Sequence, residues 1–315
     1  MKVQNNASAA VVRPFAQREI LYAFHDIDGT HSLIREWPPV MSAVLYYVIE
    51  NGLCDDFDSE ENLRRVIELT GTRPLPETDD FCVESAGLSA LTQMEWAIRR
   101  SIDNGKISIS CDKALNREKI DKIYRGEEIF AERDSAELEA YLAAYTPRLF
   151  RFYEQVLNGY CRDKNLKQAR ENPEKYLVQG SMEFMRFLKE KGVKNYFVTG
   201  AVVEKGMGMH EEVMSLGFEI GEGLMVEDII GSSWDKKLPK DVIMEKLAAE
   251  MKIDGANILV LGDGRAEIAA GVKMGALTVS RLDKNATRQR TLHQKLGTNI
   301  IIESYNDPDF CALFE

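Results

Sequence analysis

The sequence predicts an α/β protein in which a Rossmann-like, doubly wound parallel sheet is interrupted by an inserted all-helical domain. Three observations predict it. Residues 20–28 are a nearly continuous apolar run ending in acids and a glycine, as in a buried parallel strand that delivers polar groups at its C-terminal end. From residue 176 onward, short apolar runs alternate with helical patterns of ten or so residues, which implies βαβ units. Between the two lies a long stretch rich in Glu, Lys, Arg and Leu. The first strand can join the later sheet only if that stretch is an insertion. The expected domains are therefore a catalytic core of residues 1–33 and 174–315 and a helical domain of residues 34–173.

Taken in order, the insertion has helical spacing over Val40–Asn51, Glu60–Thr70, Ser89–Ile102, Arg117–Tyr124 and Ser135–Val156. Turn signals fall at Asn51-Gly52, Arg73-Pro74-Leu75-Pro76, Asn104-Gly105 and Asn172-Pro173. Helix Ser181–Lys191 then stops at Gly192 and leads into a strand over Val193–Thr199. There follow helix Glu204–Leu216, strand Leu224–Ile230, helix Pro239–Met251 and strand Asn257–Leu261. Helix Ala266–Met274, strand Ala276–Arg281, helix Arg288–Leu296 and strand Asn299–Ile302 complete the alternation.

Composition narrows the class. The chain has 315 residues, 44% of them hydrophobic, enough for a sizeable core. Forty basic against 51 acidic side chains leave a net charge of −11, which argues against nucleic acid as the main partner. Five scattered cysteines, never spaced C-x-x-C, fit free thiols in a reducing compartment better than a disulfide framework. No apolar run is long enough to cross a bilayer and residues 1–16 lack a signal core, so a cytoplasmic location without a membrane partner is expected. Oligomeric state is left open.

Four short segments fall where a parallel sheet brings strand ends together. In Asp26-Ile27-Asp28-Gly29-Thr30, the two acids are two apart and share a side of an extended segment. One can attack as a nucleophile while the other donates a proton. Thr199-Gly200 offers a hydroxyl and N–H groups for an anionic oxygen. Lys240 opens a helix, against the unfavourable end of the dipole. Finally, Ile258–Leu261 runs into Gly262-Asp263-Gly264, with Glu267 four positions on. An acid ending a buried strand suits Mg²⁺, a hard ion that takes one or two carboxylates. As a dinucleotide fingerprint G-x-G-x-x-G, this last segment fails at its third glycine, where Glu267 would face the pyrophosphate. A methyl-donor-binding loop would leave Asp26 and Asp28 unexplained.

The order of these segments resembles the haloacid dehalogenase superfamily, in its phosphatase-like branch, over residues 18–33 and 174–315. The spacing of 23 positions from Lys240 to Asp263 is similar to that of phosphoserine phosphatases, and on that ground Lys240 is preferred to the nearby Lys236 and Lys237 as the phosphate-binding lysine. Helices inserted directly after the first motif resemble the superfamily's cap in its first insertion position. The run Ser32–Trp37 resembles a subgroup of sugar-associated hydrolases.

The resemblance implies an Mg²⁺-dependent phosphatase acting on a small phosphorylated metabolite, a sugar phosphate among the candidates. Asp26 would become an aspartyl phosphate, and Asp28 would act as general acid and then base. Asp26, the Asp28 carbonyl, Asp263 and Glu267 would hold the metal. Thr199 and Lys240, with the N–H groups of Ile27 and Gly200, would grip the phosphoryl oxygens. Asp28 favours phosphoester chemistry, since carbon–halogen cleavage in the superfamily needs no proton donor. A phosphotransferase of the mutase type and a non-catalytic binding protein are the alternatives.

Arg35 and Trp37, at the start of the insertion, are the candidates for contact with the rest of the substrate. His25 is expected to point away from the site, Trp96 to lie in the helical core, and Arg99-Arg100 to form a solvated face.

Overall fold

A computed structural model describes residues 1–3, 10–34, 37–72, 74–85, 88–127, 129, 134–234 and 238–314. The chain divides into two compact units, one of Met1–Arg35, Leu166–Ser232 and Leu238–Glu315, the other of Glu36–Asn165 and Ser233–Lys237. The first unit begins with a short antiparallel ribbon, β1 (Lys2–Val3) and β2 (Arg18–Glu19), that the sequence did not signal. Strand β3 (Tyr22–His25) follows. It is shorter than the apolar run because the chain turns immediately after Asp26 and Ile27.

The second unit is helical: α1 (Trp37–Asn51), α2 (Glu60–Thr70), α3 (Pro76–Glu84), α4 (Ala90–Asp103), α5 (Lys113–Tyr124) and α6 (Ala136–Leu157). Ser59, Ser89, Asp112 and Ser135 each accept a first-turn N–H through the side chain, satisfying donors that a helix start otherwise leaves orphaned. The Pro-rich stretch read as a turn starts α3, with Pro76 where a missing N–H costs nothing. Trp96 is buried and stacks on Phe81 at 3.8 Å. Arg99 is not solvated; it is fully buried, where it bonds Glu95, Asn116 and Asp134. Only Arg100 of that pair reaches solvent, in an ion pair with Glu77.

A π-helical turn, Asn158–Arg162, joins α6 to α7 (Asp163–Glu171), and the chain returns to the first unit. There follow α8 (Ser181–Glu190), β4 (Lys194–Glu204), α9 (Gly208–Ser215), β5 (Asp228–Ser232), α10 (Lys240–Glu250) and β6 (Ile258–Gly262). Then come α11 (Arg265–Met274), β7 (Leu277–Arg281), α12 (Thr287–Leu296), β8 (Ile300–Ile302) and α13 (Pro308–Cys311). Six strands form one parallel sheet in the order β5-β4-β3-β6-β7-β8. The chain winds outward from β3 to β5, then crosses back to β6, so the topological switch lies between β3 and β6. Ligands of such sheets bind outside the strand ends at that point.

Side-chain alternation covers both faces. Ala23, Leu259 and Leu261 pack with Phe184, Leu188 and Phe310 on one face. Phe24, Ile258 and Val260 pack with Ile243, Met244 and Leu247 on the other. Being buried on both faces is why these strands read as continuous apolar runs.

A helix start is corrected as well. The helix read from Glu204 begins only at Gly208, because β4 stays extended through Glu204. Its pairing with β5 shifts register between Val198 and Val202. The strand then folds on itself, with Val203 opposite Gly208 and Glu204 opposite Met207, around Gly206 at φ 81°. Short apolar runs cannot by themselves distinguish strand from helix.

Candidate active site

The site is built on the ends of β3 and β6. The Asp26 N–H donates to Leu261 O at 2.9 Å, so the β3–β6 ladder holds Asp26 beside the Gly262-Asp263 turn. Immediately beyond, Thr30, His31 and Ser32 all donate their N–H groups to Ile27 O. This turn needs Gly29 at φ 77°, and a Cβ there would lie 1.9 Å from Asp263 Oδ2. A Cβ on Gly262 would likewise lie 2.2 Å from Glu267 Cγ. Both glycines make room for carboxylates.

Asp26 here meets three side chains from more than two hundred positions downstream, Lys240, Asp263 and Glu267. Lys240 Nζ donates to Asp26 Oδ1 at 2.6 Å and to Glu267 Oε2 at 3.2 Å. Glu267 Oε1 accepts the Gly264 N–H at 2.6 Å, capping its own helix. Thr30 Oγ1 donates to Asp26 Oδ2 at 3.3 Å. Asp26, Asp263 and Glu267 each present an oxygen within 4.8 Å of the others. Asp26 and Lys240 are each 6% exposed and Glu267 1%. The arrangement therefore groups three carboxylates, Asp26 and Glu267 buried and Asp263 partly so, beside one ammonium, leaving negative charge that a cation would balance. All-oxygen donors of this kind fit Mg²⁺.

Burial shapes the protonation of these groups. It raises the Asp26 carboxyl above its ordinary value although Lys240 pulls it down. Asp28 is raised further, by burial, then by Glu212 and Asp26, so it is suited to carry a proton. Glu267 stays low despite burial, because Lys240 and backbone N–H groups favour its anion. Burial also works against the Lys240 cation, but Asp26 and Glu267 outweigh it and hold its pKa above the usual lysine range.

Thr199 lies within β4, not at its end, and its Oγ1 accepts the Ala201 N–H at 3.1 Å. The β3–β4 register, which sets His25 opposite Phe197, carries Thr199 level with Ile27, and Gly200 follows it. Trp37 starts α1 in the helical unit. Arg35, and the lysine alternatives Lys236 and Lys237, lie outside the described residues.

The structure adds residues that the motifs do not announce. Glu212 of α9 is buried, accepts Ser32 Oγ–H at 3.1 Å and acts electrostatically on Asp28. Arg281, at the end of β7, donates to Gly29 O at 3.1 Å. Nothing in the sequence distinguishes this glutamate and arginine from their many neighbours of the same type. His31 is buried against His25, and here a signal existed: two of the chain's four histidines flank the acidic segment.

No protein-family profile matches the chain, and no curated protein matches it in sequence. Solved structures do match. A structure assigned as a phosphoglycolate phosphatase from Lactobacillus delbrueckii subsp. bulgaricus aligns at 16% identity over 94% of this chain and 100% of the other, with a TM-score of 0.50. A HAD hydrolase, family IA, variant 3, from Entamoeba histolytica aligns at 14% identity over 93% and 99%, also at 0.50. The chain has the fold of the haloacid dehalogenase-like hydrolases.

Proposed function

We propose that the protein is an Mg²⁺-dependent phosphoric monoester hydrolase that acts through an aspartyl phosphate on Asp26. The observation that carries this reading is the meeting of Asp26, Asp263, Glu267 and Lys240 at the sheet's switch point. Asp26, the Asp28 main-chain carbonyl, Asp263 and Glu267 would hold Mg²⁺, which when bound neutralises charge on the phosphoryl group. An Asp26 oxygen attacks phosphorus, the bond to the leaving oxygen breaks, and Asp28 gives that oxygen its proton. Water then attacks the phosphorus of the acyl phosphate, yields a proton to Asp28, and frees Asp26 and inorganic phosphate. Lys240 and Thr199, with the N–H groups of Ile27 and Gly200, stabilise the equatorial oxygens.

The helical unit's place in the chain, directly after the first acidic segment, supports its reading as a cap that selects the leaving group, with Arg35 and Trp37 as its contacts. A small phosphorylated metabolite is the substrate class. Purified protein should release phosphate from p-nitrophenyl phosphate with Mg²⁺ and not with EDTA, and Asp26→Asn should abolish the release. Activity in purified Asp26→Asn protein would overturn the assignment of the nucleophile. A panel of sugar phosphates, nucleotides and phosphorylated acids then identifies the leaving group.

A further inference from the structure

The loop that carries Asp26 is bounded by two histidines to which the chemistry above gives no role. His25 immediately precedes Asp26, and His31 immediately follows Thr30, which bonds the Asp26 carboxylate. His25 Nδ1 and His31 Nε2 lie 3.0 Å apart, so the two rings close the loop across its ends. Both are fully buried.

The hydrogen-bond direction follows from the partners. Asn195 uses its amide nitrogen on Met225 O at 3.0 Å, which turns its oxygen toward His25 Nε2 at 3.2 Å. His25 therefore carries its proton on Nε2 and accepts on Nδ1. His31 must then donate from Nε2, and its Nδ1 accepts Ser181 Oγ–H at 2.6 Å. Each ring is neutral and uses both nitrogens. Tyr305 stacks on His31 at 5.1 Å and donates to Thr30 O at 3.1 Å, so the far end of the loop is held by main chain as well.

We propose that His25 and His31 are positioning residues for Asp26: their directional chain from Ser181 to Asn195 fixes the backbone of residues 26–30, and with it the line along which the carboxylate meets phosphorus. This rests on the hydrolase reading above. Neither ring acts on substrate. Their effect passes through the loop, where a displacement of about 1 Å is worth about 10²-fold in rate.

The test compares His25→Phe, His31→Leu and the double variant on p-nitrophenyl phosphate with saturating Mg²⁺, beside Asp26→Asn. His25→Phe leaves His31 Nε2 only the Tyr305 hydroxyl at 3.4 Å, and His31→Leu removes the donor to His25 Nδ1; each should lower kcat by about 10–100-fold, with KM within twofold. In the double variant the loss should match that of a single one, not their product, because the two rings act as one unit. Wild-type kcat in folded single variants, or losses that multiply, would overturn the proposal. If the variants do not fold, long-range ¹H–¹⁵N spectra of the wild-type protein at pH 7 decide. Both rings should be neutral Nε2–H tautomers, and an Nδ1–H or an imidazolium at either would refute the chain. Failure of the hydrolase reading looks different: wild-type and Asp26→Asn proteins would then be equally inactive while the tautomers remain as assigned.

Discussion

Replacing Gly29 by alanine should disable the site without unfolding the protein, and the structure supplies both the size of the effect and its control. The new Cβ would lie 1.9 Å from Asp263 Oδ2 and 2.6 Å from its Cγ, where real contacts do not fall below 3.0 Å. The Asp263 carboxylate or the loop must therefore give way by about 1 Å, a displacement worth about 10²-fold in rate. Alanine at φ 77° adds about 1–2 kcal/mol of backbone strain. Gly192→Ala separates the two effects, since Gly192 has φ 79° and nothing within 4 Å of its added Cβ. In urea unfolding Gly192→Ala should lose only the backbone strain, and Gly29→Ala that strain together with the cost of the displacement. Only Gly29→Ala should lose turnover of p-nitrophenyl phosphate by about 10²-fold, with a higher Mg²⁺ requirement. If the two variants are equally active, the tight approach of Gly29 to Asp263 is not what organises the site.

Three further outcomes follow from the same geometry. Lys240→Met leaves Asp26 and Glu267 buried without their ammonium, and should cost the metal-free protein about 3–5 kcal/mol at pH 7. Urea unfolding in EDTA measures it, and a cost below about 1 kcal/mol would mean the pair is solvated. Asp28→Asn should slow turnover by about 10²–10⁴-fold yet raise stability in EDTA by about 1–2 kcal/mol, because burial and Glu212 disfavour the carboxylate it removes. Unchanged kcat in that variant would exclude Asp28 as the acid. His25, whose pKa burial lowers to about 4, binds its proton in the unfolded chain first. Its contribution is intact above pH 6.5 and should fall away between pH 6.5 and 4, by about 3 kcal/mol at pH 4. Comparison with His25→Phe isolates this loss, and parallel stability curves for the two proteins would contradict it.

The parallel strands were legible because burial on both faces strips them of polar residues, as in Ile258–Leu261. Helices were legible where a Ser or Asp cap precedes apolar spacing, as at Ser59 and Ser135. The extension of β4 through Glu204 was not, since its last residues pair only in a turned-back hairpin whose partner lies a few positions on. Nor was the burial of Arg99. Its partner Asp134 is 35 positions away, and an arginine with a distant acid is indistinguishable in sequence from a solvated one.

The candidate site divides along the same line. The order of Asp26, Asp28, Thr199, Lys240, Asp263 and Glu267 along the chain carried the resemblance, and Asp26, Lys240, Asp263 and Glu267 stand at strand ends or helix starts that local pattern reveals, whereas Thr199 lies inside β4. Only the tertiary structure decided that Lys240 bridges Asp26 and Glu267, that Glu212 lies near Asp28, and that His25 and His31 close the loop between them. Backbone periodicity is a local property and survives in the sequence. The field and hydrogen bonds at a carboxylate depend on which distant groups share its dry surroundings, and only the packed sheet brings those together.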